Sequence, residues 1–216
     1  MERIYYIAVY NVDSYYYKNE LEDSDTNSSS NSQDFEKIQT VYDVSNISIF
    51  TRNITKESFN LGLRVLIQKA DKYIGKYKYK EYLATIFKKG RVRVGVISSE
   101  TYPNGAMMNL LNNIYTFVNP LIEDSINGRY SLKNNPDIIK YISDELKKSQ
   151  NPEPDKITKV QSELDEIKKT MVTNIEKVID RGEKIDNLIV KSQELSDNSK
   201  LFYKKTKKLN RCCIIL

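Results

Sequence analysis

The first half of the chain shows hydrophobic patterns typical of strands and helices that follow one another. β-Branched and aromatic residues alternate with polar ones over residues 4–10 and 38–50, which predicts two strands. A helix is predicted from Lys56 to about Ile74, because one helical face is apolar. The apolar positions on that face are Phe59, Leu63, Leu66, Ile67 and Ala70.

Further along, the pattern predicts a hairpin and a second helix. Residues 82–87 and 92–97 read as two strands joined by a turn at 89–90. Apolar residues at helical spacing predict a helix over about 105–118, and a short helix is predicted over 138–142.

These elements define the expected domain organisation. Two helices covering a small antiparallel sheet make an α+β domain, which we place at residues 1–140. Within it, residues 19–36 are rich in serine, asparagine and acidic residues, and predict a disordered insertion in a hairpin loop. We expect a linker over 141–154, a helical segment over 155–210 and a short tail over 211–216.

A seven-residue repeat runs through the helical segment. Apolar residues recur at alternating steps of three and four residues, which is the pattern of a coiled-coil seam. Eleven of the sixteen seam positions are apolar. The sixteen positions are Ile157, Val160, Leu164, Ile167, Met171, Asn174, Val178, Arg181, Ile185, Leu188, Ser192, Leu195, Ser199, Phe202, Thr206 and Leu209. We therefore predict one long helix that buries this seam against partner helices.

Arg181 stands near the middle of the seam. Burying a guanidinium is unfavourable unless acceptors receive its donors. One interpretation is a surface arginine on a helix that never pairs. However, the apolar seam continues in phase from Val178 before the arginine to Ile185 after it. The better interpretation is a polar layer that fixes the register, with carboxamide side chains of partner helices as acceptors.

Composition disfavours several functional classes. The chain has 216 residues and no histidine, which excludes Ser-His-Asp and Cys-His catalytic sites and histidine metal sites. Its seven glycines build neither a Walker A loop nor a dinucleotide-binding fingerprint. An enzyme acting through Cys212 would need an activating base that the chain does not evidently supply. We expect no enzyme activity, no metal and no cofactor.

The last four residues of the sequence match a CaaX prenylation box. Cys213 is followed by two aliphatic residues and Leu216, and a leucine there favours geranylgeranyl over farnesyl. Cys212 directly precedes this box. Six basic residues and no acidic residue lie between Lys200 and Arg211. Because such a run is attracted to an anionic membrane surface, we expect a lipid-anchored protein.

Several segments together resemble a known family. Residues 160–166 and 179–188 resemble the motif of R-SNAREs, in which a central arginine and three glutamines from partner helices form an ionic layer. Residues 42–45, 48–50 and 102–103 resemble a longin domain, which is a profilin-like antiparallel sheet with flanking helices. With the cysteine-containing tail, the chain resembles the lipid-anchored, Ykt-type longin R-SNAREs.

This resemblance implies membrane fusion through a four-helix bundle with three Q-SNARE helices. It also implies a second lipid on Cys212, commonly palmitate, a prenyltransferase for Cys213, and a disassembly ATPase with its adaptor. The longin domain is expected to fold back on the motif and inhibit it, through a surface that includes Asp43, Phe59 and Leu63. The expected location is the cytoplasm and the cytoplasmic face of Golgi, ER-derived or endosomal membranes, with no nucleic-acid partner.

The alternative is a prenylated coiled-coil scaffold or tether without fusion activity. Such a protein would associate with itself, whereas an R-SNARE would pair selectively with three Q-SNARE helices.

Overall fold

The computed structural model contains six strands and three longer helices in the residues that it describes. Those residues are 2–12, 35–49, 51–70, 72–126, 132, 135–151, 167–179, 187 and 201. The strands are Ile4–Val12 (β1), Phe35–Tyr42 (β2), Ile74–Tyr79 (β3), Tyr82–Lys89 (β4), Val92–Ser99 (β5) and Val172–Asn174 (β6). The helices are Arg52–Lys69 (α1), Asn104–Ile126 (α2) and Pro136–Lys148 (α3).

All six strands form one sheet in the order β2-β1-β5-β4-β3-β6, with helices on both faces. On β5, Val94 and Val96 lie in the buried cluster with α2 and α3, whereas Ile97 lies in the cluster with α1. Successive strand residues point to opposite faces, so a strand that is apolar on both faces needs cover on both. The predicted α+β class is confirmed, but the sheet is mixed because β6 pairs with β3 in parallel.

The predicted hairpin is confirmed. β4 and β5 pair in antiparallel fashion, and the turn between them places Gly90 at a φ of 54°, which glycine adopts without steric cost. A second glycine sets the distance between α1 and the sheet. A Cβ atom on Gly95 would lie 2.9 Å from Cδ2 of Leu63, so the missing side chain lets this leucine pack directly on β5.

The strand predicted over 38–50 is wrong beyond Tyr42. The side chain of Asp43 accepts a hydrogen bond from the Ser45 amide at 3.1 Å, and this interaction favours a turn over further pairing. Ile49, which fitted the strand pattern, is 70% exposed.

The start of β2 also differs from the prediction. Phe35 and Glu36 pair with the end of β1, so the last two residues of the predicted insertion belong to a strand. Residues 19–34 lie outside the described residues.

The helix predicted to reach Ile74 ends at Lys69, and Ile74 instead begins β3. The pattern did not reveal β3 as a strand, although aromatic residues follow at Tyr77 and Tyr79 in alternation with lysines. β3 is joined to β4 by a tight turn in which Lys80 has a φ of 54°. A lysine in the left-handed region gives no turn signal in the sequence.

The second predicted helix is confirmed and is longer than expected. α2 continues past 118 to Ile126 and contains Pro120, although an internal proline typically costs about 3 kcal/mol. Ile122 is fully buried, so the apolar face that stabilises this helix extends beyond the proline.

The structure also differs at the expected linker over 141–154, because α3 continues to Lys148. The Asn135 side chain caps α3 by accepting a hydrogen bond from the Asp137 amide at 3.0 Å. Ile142 and Leu146 are buried against the domain. α3 is therefore part of the domain core.

Candidate functional site

The candidate site is the segment 167–179, where the heptad region meets the sheet. Residues 167–169 are helical, residues 172–174 form β6, and Ile175–Lys177 form a short 3-10 helix. The prediction of one uninterrupted helix is therefore wrong in this segment. Val172 and Thr173 are β-branched, which suits a strand once a neighbouring edge is available.

β6 adds to the sheet at the edge formed by β3. The pairs in register are Lys76 with Val172, Tyr77 with Thr173, and Lys78 with Asn174. Asn174 then ends the strand, because its side chain accepts a hydrogen bond from the Glu176 amide at 3.0 Å and caps the short helix. Tertiary pairing thus overrides the helical period of the sequence.

The segment around β6 contacts both faces of the sheet. Ile167 is fully buried in the cluster that includes α2 and α3. Ile175 and Ile179 are 3% and 5% exposed and belong to the cluster on the opposite face, with α1. The segment therefore passes around the β3 edge of the sheet and is fixed on each side by isoleucine.

The described seam residues differ in burial. Ile167 is buried and Val178 is half-buried, whereas Met171 is 80% exposed and Asn174 is also exposed. The domain therefore buries the seam residues Ile167 and Val178 wholly or in part, and leaves Met171 and Asn174 exposed.

The strand beside β6 contains a buried lysine. Lys76 is 6% exposed, and its ammonium donates a hydrogen bond to the Asn104 side chain at the start of α2, at 2.8 Å. Burial lowers the pKa of Lys76, because an apolar surrounding disfavours the charged form. Its neighbour on the same face, Lys78, forms an exposed ion pair with Glu100.

Two of the three residues expected on the inhibitory surface, Phe59 and Leu63, lie on the inner side of α1. Phe59 packs edge-on against Tyr82 with ring centroids 4.9 Å apart, and Leu63 is fully buried. Both belong to the same buried cluster as Ile175 and Ile179. Their role in inhibition stays a prediction.

The third residue, Asp43, follows β2 at the edge of the sheet opposite β6. Its carboxylate accepts hydrogen bonds from the Arg3 guanidinium and the Ser45 amide. Burial opposes ionisation of Asp43, but the hydrogen bonds with Ser45 and Arg3 outweigh it, so the pKa of Asp43 is lowered. In the described residues, Asp43 therefore fixes the turn before α1, and its inhibitory role also stays a prediction.

Replacing Asp43 with asparagine should lower the free energy of unfolding by about 1 kcal/mol at neutral pH, since a partly exposed ion pair is lost. A lowered folded pKa stabilises the fold above the unfolded value of 3.8, and this contribution is lost as pH falls through the folded pKa. Urea unfolding at several pH values should therefore show the two proteins converging below about pH 4.

Asp144→Asn is the matched control for Asp43→Asn, because it removes only the exposed ion pair with Lys147. It should change the free energy of unfolding by less than about 0.5 kcal/mol. A difference between Asp43→Asn and the unaltered protein that persists unchanged at pH 3 would contradict the proposed contribution of the carboxylate.

Most of the predicted site residues lie outside the described residues, and their roles stay predictions. They are Ile157, Val160, Leu164, Arg181, Ile185, Leu188, Ser192, Leu195, Ser199, Phe202, Thr206, Leu209, Cys212 and Cys213. In the part of the chain that the structure does describe, no helix is both long and apolar enough to cross a bilayer. The same part contains no group of three side chains suited to hold a metal ion.

Comparison with known proteins finds a matching family model and several proteins of similar sequence. The Synaptobrevin family model matches residues 156–215. The VAMP-like protein YKT61 of Arabidopsis thaliana is 32% identical over 176 residues, which are 81% of this chain and 87% of the plant protein. The Synaptobrevin homolog YKT6 of Saccharomyces cerevisiae is 39% identical over 142 residues, or 62% and 68% of the two chains. The Debaryomyces hansenii protein of that name is 33% identical over 182 residues, which are 80% of this chain and 82% of the Debaryomyces protein.

An α+β domain with a mixed sheet and flanking helices, followed by a synaptobrevin motif, defines a longin-type R-SNARE. Within that class, the chain belongs to the YKT6 family. The protein is therefore a SNARE of vesicle trafficking, a class whose members act on intracellular membranes, and it is not an enzyme. Its partners in general are other SNAREs.

Proposed function

We propose that this protein drives vesicle-membrane fusion as an R-SNARE, by assembling a four-helix bundle with three Q-SNARE helices. Assembly starts near Ile157 and proceeds towards Leu209, which brings the two membranes together. The driving force is the removal of the apolar seam from water, at roughly 25 cal/mol per Å² buried. What supports the proposal is the sixteen-position heptad seam, together with the family membership.

Arg181 forms the central ionic layer of this bundle. Glutamine side chains from the three partner helices accept its hydrogen bonds, so the guanidinium is satisfied without a second buried charge. This layer fixes the register of the four helices, since a shift of one heptad would bury the guanidinium among apolar residues.

The longin domain inhibits this assembly by holding part of the motif in a different structure. The observation that carries this proposal is the pairing of β6 with β3. Residues 172–174 cannot belong to an extended strand and to a continuous bundle helix at the same time. Zippering through this segment therefore requires that β6 leave the sheet.

The inhibitory surface extends to α1. Phe59 and Leu63 share a buried cluster with Ile175 and Ile179, which supports a contribution of α1 to holding the motif. Asp43 contributes by fixing the turn that leads into α1, through its hydrogen bonds with Arg3 and Ser45.

Lipids anchor the protein to the cytoplasmic face of Golgi, ER-derived or endosomal membranes. A second population of the protein is in the cytosol. A prenyltransferase modifies Cys213 in the sequence Cys-Ile-Ile-Leu, and Cys212 carries palmitate or another second lipid. The basic run between Lys200 and Arg211 adds attraction to anionic lipids, at about 1 kcal/mol per residue near the surface. After fusion, a disassembly ATPase and its adaptor separate the bundle.

A pull-down from cell extract tests both assembly and inhibition. The immobilised fragment 155–210 should capture three Q-SNARE helices, identified by mass spectrometry. The immobilised full-length chain should capture the same proteins in smaller amounts, because the domain competes for the motif.

The bound proteins distinguish the proposed function from its alternative. If the fragment captured only further copies of this chain, the protein would be a self-associating scaffold or tether. It would then not drive membrane fusion. Equal capture by the fragment and the full-length chain would contradict inhibition by the domain while leaving assembly intact.

A further inference from the structure

Lys76 is a buried cation in the middle of β3. It lies between Thr85 of β4 and Val172 of β6, and only 6% of its surface is exposed. Ile74, two residues earlier, points to the same face of the sheet and belongs to the buried cluster with α2 and α3. The lysine side chain therefore extends towards an apolar core.

The ammonium group of Lys76 has one acceptor for its three donors. It donates a hydrogen bond to the side-chain oxygen of Asn104 at 2.8 Å. Within the described part of the chain, Lys76 forms no ion pair with a carboxylate. Its pKa is lowered by burial alone. A buried cation with one neutral acceptor is unfavourable, because the hydration that it loses is only partly replaced.

Lys78 shows how a lysine on the same strand behaves where water reaches it. It lies two residues further along, on the same face, and its ammonium forms an ion pair with Glu100 at 2.7 Å. The side chains of this pair are 44% and 52% exposed. The two lysines therefore differ in burial and in charge compensation, although their chemistry is the same.

The docked C-terminal segment contributes to the burial of Lys76. β6 lies at the end of the strand order, and Val172 in it is the direct neighbour of Lys76. Ile167, five residues before Val172, is fully buried in the cluster on the same face of the sheet. If β6 left, β3 would become the edge of the sheet, and water would reach the side of Lys76 that β6 now covers.

We propose that the Lys76 ammonium weakens the pairing of β6 with β3 and keeps the docked segment easy to release. Desolvation of this cation opposes pairing, and the penalty is relieved when β6 leaves. The apolar contacts of Ile167, Ile175 and Ile179 act in the opposite sense. The inference rests on the proposed function for its consequence, because release matters only if the segment enters a bundle.

The alternative is that Lys76 stabilises the domain itself. Its hydrogen bond to Asn104 joins β3 to the start of α2. However, Asn104 is only half-buried, so water can replace the lysine as its donor. Removing the charge should strengthen the pairing of β6 if the proposal is right, and should weaken the domain if the alternative is right.

The test is Lys76→Met in the full-length chain, which removes the charge and keeps an unbranched side chain. Lys78→Met is the matched control, because it makes the same change two residues away at an exposed position. Amide hydrogen exchange at residues 172–174 measures release of β6, and exchange in β1 and β5 measures opening of the domain. No partner helix is present in this experiment.

We expect Lys76→Met to slow the exchange of the β6 amides about tenfold, and Lys78→Met to change it less than about threefold. The protection of β6 should also increase relative to that of β1 and β5. Unchanged or faster exchange of β6 in Lys76→Met would overturn the inference. Faster exchange in β1 and β5 as well would assign the lysine the structural role.

A second measurement tests whether the segment buries the lysine. Ile167→Asn places a polar, uncharged side chain in the apolar cluster and should release the segment. The pKa of Lys76, followed by NMR of its side chain, should then rise towards its ordinary value of 10.5. If the β6 amides exchanged fast in Ile167→Asn while this pKa stayed low, another part of the fold would bury Lys76 and the inference would fail.

A soluble acceptor of three Q-SNARE helices then separates this inference from the proposed function. Lys76→Met should assemble on the acceptor more slowly than the unaltered protein and Lys78→Met. Equal rates together with slower exchange would contradict inhibition by the domain and leave the role of Lys76 in release intact. If no version assembled, the proposed function would fail, and the exchange rates would still decide what Lys76 does.

Discussion

Replacing Leu188 with aspartate is expected to abolish assembly with the three Q-SNARE helices. Leu188 is a seam position seven residues after Arg181, in a part of the repeat where the seam is apolar at Ile185 as well. A carboxylate buried there without a partner costs several kcal/mol. Since 1.4 kcal/mol corresponds to a factor of ten, we expect complex formation to fall at least about 100-fold.

Native gels and circular dichroism with a soluble Q-SNARE acceptor measure this effect. The matched control is Asn187→Asp, which introduces the same charge one position off the seam, at a residue that is exposed in the structure. This control should assemble nearly as well as the unaltered protein. If Leu188→Asp formed a complex of unchanged stability, the seam would be in the wrong register or would not be used.

Replacing Cys213 with serine is expected to move the protein entirely to the cytosol. The proposed prenyl chain would supply most of the membrane affinity, at about 0.8 kcal/mol for each buried CH₂ group, and serine cannot accept it. The basic run before it gives only salt-dependent attraction, which does not hold a protein on a membrane by itself. Separation of cell membranes from cytosol, followed by immunoblotting, measures the distribution.

Cys212→Ser is the matched control for Cys213→Ser, because it removes the proposed site of the second lipid and leaves the prenylation sequence intact. It should weaken membrane attachment and leave a detectable membrane fraction, since one lipid chain combined with a basic run gives partial anchoring. Persistent membrane binding of Cys213→Ser at the level of the unaltered protein would contradict the lipid anchor.

Much of the domain was predictable because local patterns and tertiary packing agree there. The β4–β5 hairpin carries a glycine at its turn, and α1 and α2 carry continuous apolar faces. The errors within the domain have two different causes. The turn after Tyr42 depends on the Asp43 side chain. β3 was not recognised as a strand from the sequence pattern, because one of its lysines, Lys76, is buried.

The period of the apolar residues follows from the order of amino acids alone: it is two in the strands, and 3.5 in the C-terminal segment with an arginine near its centre. These periods are local, because they depend only on how side chains follow one another along a backbone of given geometry. From them came the α+β class and the resemblance to longin-type R-SNAREs.

The conformation of residues 170–179 within this chain depends on contacts with distant parts of the fold. Taken alone, the repeat favours a helix through Met171, Asn174 and Val178. The edge of β3 offers backbone hydrogen-bonding groups, and the two faces of the sheet offer apolar clusters that bury Ile167 on one side and Ile175 on the other. Because those partners lie far away in sequence, no local pattern could show that this part of the seam becomes a strand.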